Sequence, residues 1–439
     1  MPIDDRRGSF NLKAVVRETG LKPDTLRAWE RRYRLPRPER TAGGHRLYSQ
    51  RDIDCLRWLA ARQTEGLSIS RAVELWRKLE ADGLDPLDAP HYAIPESAAA
   101  GGGLASGEAI VDLRDDWVRA CAALDERKAE LALNQALALY PPETVCFEVL
   151  REGLAQIGQG WYRGELSAQQ EHFASALALR RLEALLLAAA PPTRRSRLIV
   201  ACPPEEQHTF APLLLTLLLR RRSLEVTYLG ADVPLERMAE VLDTVKPHLV
   251  ILTAQRLQTA AGLRAMASEI SGRGVAVAFG GRVFAESPGL VEHIPGQYLG
   301  DRLEQATQAV ERLLSAPAPR PEARSAPPAY RRALAHLRSR RPQIDAEVWA
   351  ATESRMESSS IVGVNEYFGR DILAALEFGD LGLLRREISW VEGLIAHRKL
   401  PAGQLPAYLQ AYRDAARRHL EEAGQPVVEW LDRIVANGS

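Results

Sequence analysis

Between residues 195 and 315, short apolar runs alternate with segments whose apolar positions recur every three to four residues. The runs at 197–202, 224–229, 249–253, 275–279 and 297–299 are predicted strands. The intervening segments at 210–222, 234–246, 260–272, 286–293 and 301–314 are predicted helices. Leucine-rich and β-branched strands joined by helix-length crossovers must pair in parallel, which predicts a doubly wound sheet. Upstream, residues 110–192 keep helical periodicity, with a break at Tyr140-Pro141-Pro142, and predict a bundle of about four helices. Residues 1–80 read as short helices: one ending at Gly20, one opened by Pro23 and Asp24, and a third begun at Arg51 after a glycine turn. Beyond 329, helical periodicity returns at 347–358, 365–377, 382–396, 405–423 and 426–435. Residues 81–109, with Pro86, Pro90, Pro95 and a Gly-Ala-Ser run, and the Pro-rich 316–328 read as linkers. The expected architecture is therefore multidomain α and α/β. Its parts are 1–80, the linker 81–109, a helical bundle at 110–192, a parallel-sheet domain at 193–315, the linker 316–328 and a C-terminal helical bundle at 329–439.

Composition fits this partition. At roughly 150 residues per domain, 439 residues imply about three folded domains. The 57 basic and 57 acidic side chains cancel, so any basic cluster is a local asymmetry and not a general polycation. Cys55, Cys121, Cys146 and Cys202 are scattered without CxxC spacing, which reads as reduced core thiols and not a disulfide framework or zinc site. No apolar run approaches the roughly 18 residues a membrane helix needs. The start Met1-Pro-Ile-Asp-Asp-Arg-Arg7 lacks a signal-peptide core, so a cytoplasmic protein with no membrane partner is expected.

The first candidate chemistry lies at Glu206-Gln-His208-Thr-Phe-Ala211, just beyond the first predicted strand of the sheet. Open α/β sheets bind ligands at the carboxyl ends of their strands. A histidine there can give one ring nitrogen to a metal while a carboxylate two residues away holds the other. The stretch resembles the Asp-x-His-x-x-Gly motif of cobalamin-binding domains. That resemblance implies His208 as the lower cobalt ligand, with Glu206 behind it. Thr253, after the middle strand, and Gly280-Gly281, after the fourth, fall at the same end and fit the same pattern. A phospho-receiver would need Asp where Thr253-Ala254 stands, and a dinucleotide fold would need glycines where Pro203-Pro-Glu-Glu-Gln-His208 stands. Ala211, where the motif has glycine, is a departure that adds a methyl group.

Within the preceding bundle, Trp161 is followed by Glu171-His172. This interval resembles the Trp-x9-Glu-His pattern in the cap of CarH/LitR-type cobalamin photoreceptors. The resemblance implies that Trp161 covers the upper face of the corrin and that Glu171 and His172 lie near an adenosyl group. Tyr162 departs from it, because some members carry histidine directly after the tryptophan.

The N-terminal segment carries Thr25, Arg27, Arg31, Arg32, Arg34, Arg37 and Arg40, then Thr41-Ala-Gly-Gly-His45-Arg46-Leu47-Tyr48. Its order of elements resembles the winged helix-turn-helix of the MerR family across residues 8–78. Clustered arginines supply phosphate neutralisation, and a helix bearing Arg and Thr fits a major groove. Thr25, Arg27, Arg31, Arg32, Arg40, His45, Arg46 and Tyr48 are the expected contacts to double-stranded DNA.

Together these resemblances imply a non-enzymatic, light-responsive transcription regulator using adenosylcobalamin, in which assembly into a homodimer or homotetramer governs operator binding. The helix before the first linker ends near Gly83, so self-association is expected from the sensory part. A B12-dependent enzyme subunit is the competing class, but it needs a substrate barrel of about 250 residues that the chain does not carry. On its residues alone the C-terminal segment reads as a helical oligomerisation or partner module. Some cobalamin photoreceptors resemble this layout with a helical bilin-binding domain in that place, which implies biliverdin near His336, His397, His419, Tyr367, Tyr408 or Tyr412. A third reading keeps the cobalamin fold without its cofactor and senses a bilin or another ligand through that domain.

Overall fold

The computed structural model describes residues 10–19, 21, 23–41, 46–64, 69–81, 107–316, 323–353, 358–397 and 403–437. The glycine turn with His45, most of the first linker and residues 317–322 of the second lie outside the described residues. The chain divides into two compact units, Met1–Asp115 with Glu130–Val149, and Asp116–Ala129 with Leu150–Ser439.

In the first unit, α1 (Leu12–Thr19) and α2 (Pro23–Tyr33) precede a two-stranded antiparallel ribbon of β1 (Glu39–Arg40) and β2 (Arg46–Leu47). Then come α3 (Gln50–Thr64) and α4 (Ile69–Ala81). Val15, Leu26, Trp29, Leu35, Tyr48, Leu56, Leu59 and Trp76 form its core. The side chain of Asp52 accepts hydrogen bonds from Ser49 and from the Arg37 backbone, which ties the ribbon to the start of α3.

Further helices are α5 (Gly107–Ala122), α6 (Glu126–Leu139) and α7 (Pro142–Val145). A π-helical turn at Cys146–Arg151 leads into α8 (Glu152–Tyr162), and α9 spans Ala168–Leu187. Ser167 and Gln170 cap α9 reciprocally through each other's backbone N–H. Gly153 of α8 lies so close to the Trp117 ring that a Cβ there would stand 2.7 Å from it, so α5 and α8 meet where only glycine fits.

The second unit is built on β3 (Arg197–Ala201), β4 (Glu225–Gly230), β5 (Leu249–Thr253), β6 (Ala276–Gly280) and β7 (Gln297–Tyr298). All pairings are parallel, in the order β4-β3-β5-β6-β7. The crossovers hold α10 (Phe210–Arg221), α11 (Met238–Val245), α12 (Leu257–Gly272), α13 (Arg282–Glu286) and α14 (Leu303–Ser315). One face of the sheet packs under α10 and α14 through Leu198, Val200, Leu215, Ala306 and Val310. The other packs under α11 and α12 through Ile199, Val250, Leu252, Leu263 and Met266.

The C-terminal helices are α15 (Pro328–Thr352), α16 (Ser358–Phe378), α17 (Leu384–His397), α18 (Gln404–His419) and α19 (Gln425–Asn437). Sequence periodicity predicted no helix over 329–346, yet α15 runs unbroken through Pro342. Its Ala333, Leu337, Ile344 and Val348 are buried against the other helices of the bundle, and that tertiary burial outweighs the single backbone bond proline removes. The same apolar core that covers α12 continues into this bundle through Ile372, Ala375, Phe378, Leu384 and Ile388. Residues 323–327 follow the sheet domain instead of forming a free spacer. Ala326 is buried, the Arg324 N–H donates to the Glu292 carbonyl, and the His293 ring bonds the Arg324 carbonyl.

Candidate functional site

The carboxyl ends of β3, β5 and β6 carry a connected polar network. Glu206 is fully buried. Its Oε1 accepts from the His208 backbone N–H at 2.9 Å and pairs with His208 Nδ1 at 2.6 Å. Its Oε2 accepts from the Gln255 N–H at 2.7 Å and from Thr259 Oγ1 at 2.6 Å. Burial alone would push this carboxyl up, but the hydrogen bonds from His208, Thr259 and the two backbone amides outweigh it and hold it below the usual range. An ionised Glu206 therefore fixes His208 as the tautomer protonated at Nδ1. In the neutral ring Nε2 is then the nitrogen that carries the lone pair, on a side chain that is 49% exposed. Fixing a ligand histidine through its second nitrogen is how outer carboxylates orient metal-binding imidazoles.

The surrounding loops are bolted in place. The Asp232 side chain accepts from the Glu205 N–H, and the Asp232 N–H donates to the Glu206 carbonyl. Gln255 Oε1 accepts from the Arg282 N–H, which carries the network to the loop after β6. Thr253 is buried beneath the network, 3.7 Å from the Cys202 sulfur. Burial pushes the Cys202 thiol up to about 11, so it stays protonated and is a poor metal ligand. Gly281 adopts a φ of +127°, and a Cβ there would collide with the Ala254 carbonyl. At Gly280 a Cβ would meet nothing within 4 Å, so open space lies beside the backbone at this edge of the sheet. An oriented imidazole, an anchored carboxylate and a bare glycine edge fit a corrin lying across the strand ends. Gln255 and Thr259 have no signal in the sequence spacing, because they reach Glu206 only through the fold.

The residues of the cap pattern fall into two groups. Trp161, at the end of α8, stacks on Trp390 of α17 with ring centroids 6.2 Å apart and 27° between planes. Glu171 and His172 pair with each other on α9 at 2.7 Å, and Glu171 also accepts from Ser175. His172 is 81% exposed. In the C-terminal bundle, Phe368, Tyr408, Tyr412 and Trp430 fill the interior with mutual ring contacts. Of the tail residues singled out from sequence, Tyr408 and Tyr412 are thus brought together, whereas His419 bonds Glu347, His397 bonds the Gly393 carbonyl and Tyr367 is exposed.

In the first unit, Arg27, Arg31 and Arg32 are exposed along α2, and Thr25 is half-buried at its start. Arg40 ends β1. Arg46 leaves β2 and forms a 2.7 Å ion pair with Glu30 of α2, which couples the ribbon to that helix. Tyr48 corrects the expectation of a DNA contact. Its side chain is only 1% exposed, because the backbone pairing of Tyr48 with Phe10 turns the ring into the core beside Val15 and Leu56.

Residues 10–79 match the family described as MerR HTH family regulatory protein, and residues 113–186 match the B12 binding domain family. The chain is 30% identical over 245 residues to the HTH-type transcriptional repressor CarH of Myxococcus xanthus, covering 56% of this chain and 78% of that one. It is also 30% identical over 250 residues to the repressor CarA of the same organism, covering 56% and 77%. Among solved structures, the monomethylamine corrinoid protein of Methanosarcina barkeri aligns with a TM-score of 0.42 and 19% identity, over 48% of this chain and 100% of that one.

Proposed function

The chain belongs to the family of the HTH-type transcriptional repressors CarH and CarA, and on that premise we propose that it is a cytoplasmic, light-responsive regulator of transcription that binds adenosylcobalamin and double-stranded DNA. The observation that carries the reading is the Glu206–His208 pair, which presents one imidazole nitrogen at the strand ends with its tautomer fixed by a buried carboxylate. His208 would hold cobalt through Nε2, Glu206 would keep that nitrogen basic, and Gly280 and Gly281 would let the corrin edge approach the backbone. Trp161 would shield the opposite side from water, with Glu171 and His172 at its margin. Bound there, adenosylcobalamin supplies a cobalt–carbon bond that light can break. Arg27, Arg31 and Arg32 would neutralise operator phosphates, and the Arg46–Glu30 pair would set the angle of the ribbon against the groove. Self-association through the sensory part would pair two such DNA-binding units, and a ligand that prefers the associated form shifts that equilibrium.

The test is to load the full chain with adenosylcobalamin in the dark and follow its absorption, its mass by light scattering and its retention of operator DNA before and after green light. The expected result is a spectral change on illumination with a fall in mass and in DNA retention. A dark complex whose mass and DNA binding ignore light would remove light and assembly from the reading and leave a cobalamin-binding regulator. Biliverdin belongs to the alternative reading. With Phe368, Tyr408, Tyr412 and Trp430 in mutual ring contact, the C-terminal bundle is assigned to the helical interaction module, the reading its residues alone favour. A saturable red-region absorption band on biliverdin titration would overturn that assignment.

A further inference from the structure

The C-terminal bundle touches both the sheet domain and the cap helices. On the sheet side, Arg370 pairs at 2.9 Å with Glu205, the neighbour of the carboxylate that orients His208. Gln258, which follows the network residue Gln255, donates to Asp371 at 3.0 Å and to the Tyr367 carbonyl at 3.2 Å. The root of α17 is fixed by Arg386, which pairs with Glu286 at 2.9 Å, and by the buried Leu384 and Ile388. On the cap side, the far end of α17 meets the end of α8. Positions 390, 393 and 397 share one helix face by their spacing of three and four. All three engage the Trp161-Tyr162 pair. Trp390 stacks on Trp161 and lies 5.8 Å from the Tyr162 ring, and His397 lies 5.2 Å from that ring. The Tyr162 hydroxyl donates to the Trp390 carbonyl at 3.3 Å and occupies the place a Cβ on Gly393 would need. Tyr162 is the very position at which the sequence departs from the cap pattern it otherwise resembles. Trp390 remains 44% exposed, so it is not a core residue whose burial explains it.

We propose that Trp390 is a positioning residue for the cap side of the cobalamin site: stacked on Trp161 and locked through Tyr162, it fixes the indole assigned above to the side away from His208, and so would let the C-terminal bundle sense a group bound there. The proposal rests on the cobalamin reading above. On that reading a large upper group such as adenosyl would reach Trp161, whereas a hydroxide would not. Trp390 therefore matters for one cobalamin and not for the other.

The experiment compares the full-length wild type with Trp390→Ala and Trp390→Phe. Without cobalamin, the stacked indoles should give an exciton couplet in circular dichroism that Trp390→Ala abolishes. In the dark, loss of adenosylcobalamin should speed up about three- to tenfold in Trp390→Ala, the range expected for removing one aromatic stack. Loss of hydroxocobalamin should be unchanged, and Trp390→Phe should restore much of the adenosylcobalamin retention. Equal acceleration for both cobalamins, or for neither, in variants that keep the wild-type helical signal overturns the proposal while leaving the cobalamin reading intact. If Trp390→Ala fails to fold, Trp390→Leu, which keeps an apolar side chain of similar reach but no stacking ring, decides by the same ratio. A wild type that retains neither cobalamin overturns the functional reading itself, and the proposal with it.

Discussion

Glu206 is the residue on which the site turns, because it is fully buried and accepts four hydrogen bonds as a carboxylate. Replacing it with glutamine sets an amide donor among donors, which should cost about 1–3 kcal/mol for a buried unsatisfied group. Its carboxyl is held below the usual range in the folded state, so its contribution is present above the unfolded value of about 4.3 and fades as pH falls through the lower folded value. The thermal stabilities of wild type and Glu206→Gln should therefore converge on acidification. A gap that stays constant down to strong acid would show that the charge is not what stabilises the loop. Asp371 behaves in the opposite way. Burial, reinforced by the nearby Glu387, raises it to about 7. The penalty for ionising it is absent below about pH 4 and grows until the folded value is passed, so the docked bundle should weaken between about pH 4 and 7. Asp371→Asn keeps an acceptor for Gln258 and should flatten that dependence in thermal unfolding. An unchanged pH profile would contradict the assignment. On α2, the exposed Arg31 is the direct test of the DNA face. Arg31→Ala should weaken operator binding by about 1–3 kcal/mol if it reads a base or a buried phosphate, and a titration showing wild-type affinity would move the interface elsewhere.

At the scale of elements, the sheet was legible because its strands are continuous apolar runs and its crossovers are long. The five strands fall within a residue or two of their expected places. The position of His208 at a strand end was legible for the same reason. The arrangement behind it was not. Gln255 and Thr259 reach Glu206 across 49 and 53 residues of chain, and no local period records that. Tyr48 was misread because its neighbours His45 and Arg46 are polar, while strand alternation and the pairing with Phe10 send its ring inward. The first half of α15 was missed because Pro342 and a run of arginines hide a buried stripe of Ala333, Leu337 and Ile344. Gly281 shows how tightly the elements meet at the site. Gly281→Ala would force a methyl group against the Ala254 carbonyl at a φ of +127°, and should lower both thermal stability and cobalamin retention. Retention equal to wild type would mean that the loop after β6 does not form the corrin edge.

For the molecule as a whole, the Pro-rich segment suggested a sheet domain and a tail that fold independently. The structure instead gives them one continuous apolar core, with α16 against α12 and Arg264 donating to the Glu377 carbonyl. Deleting residues 323–439 would expose the outer apolar face of α12, so the truncated chain should melt lower or associate through that face, as seen by calorimetry and light scattering. Unchanged melting would restore the independent tail. The proposed role of His208 as the cobalamin ligand is tested most directly by one measurement. Wild type and His208→Ala, each saturated with adenosylcobalamin in the dark and passed through gel filtration, are compared by the absorption spectrum of the protein peak. Wild type should carry cobalamin with a spectrum displaced from the free cofactor, while His208→Ala should lose most of it and leave any remainder with a different spectrum. The same retention and the same spectrum in both proteins would contradict it.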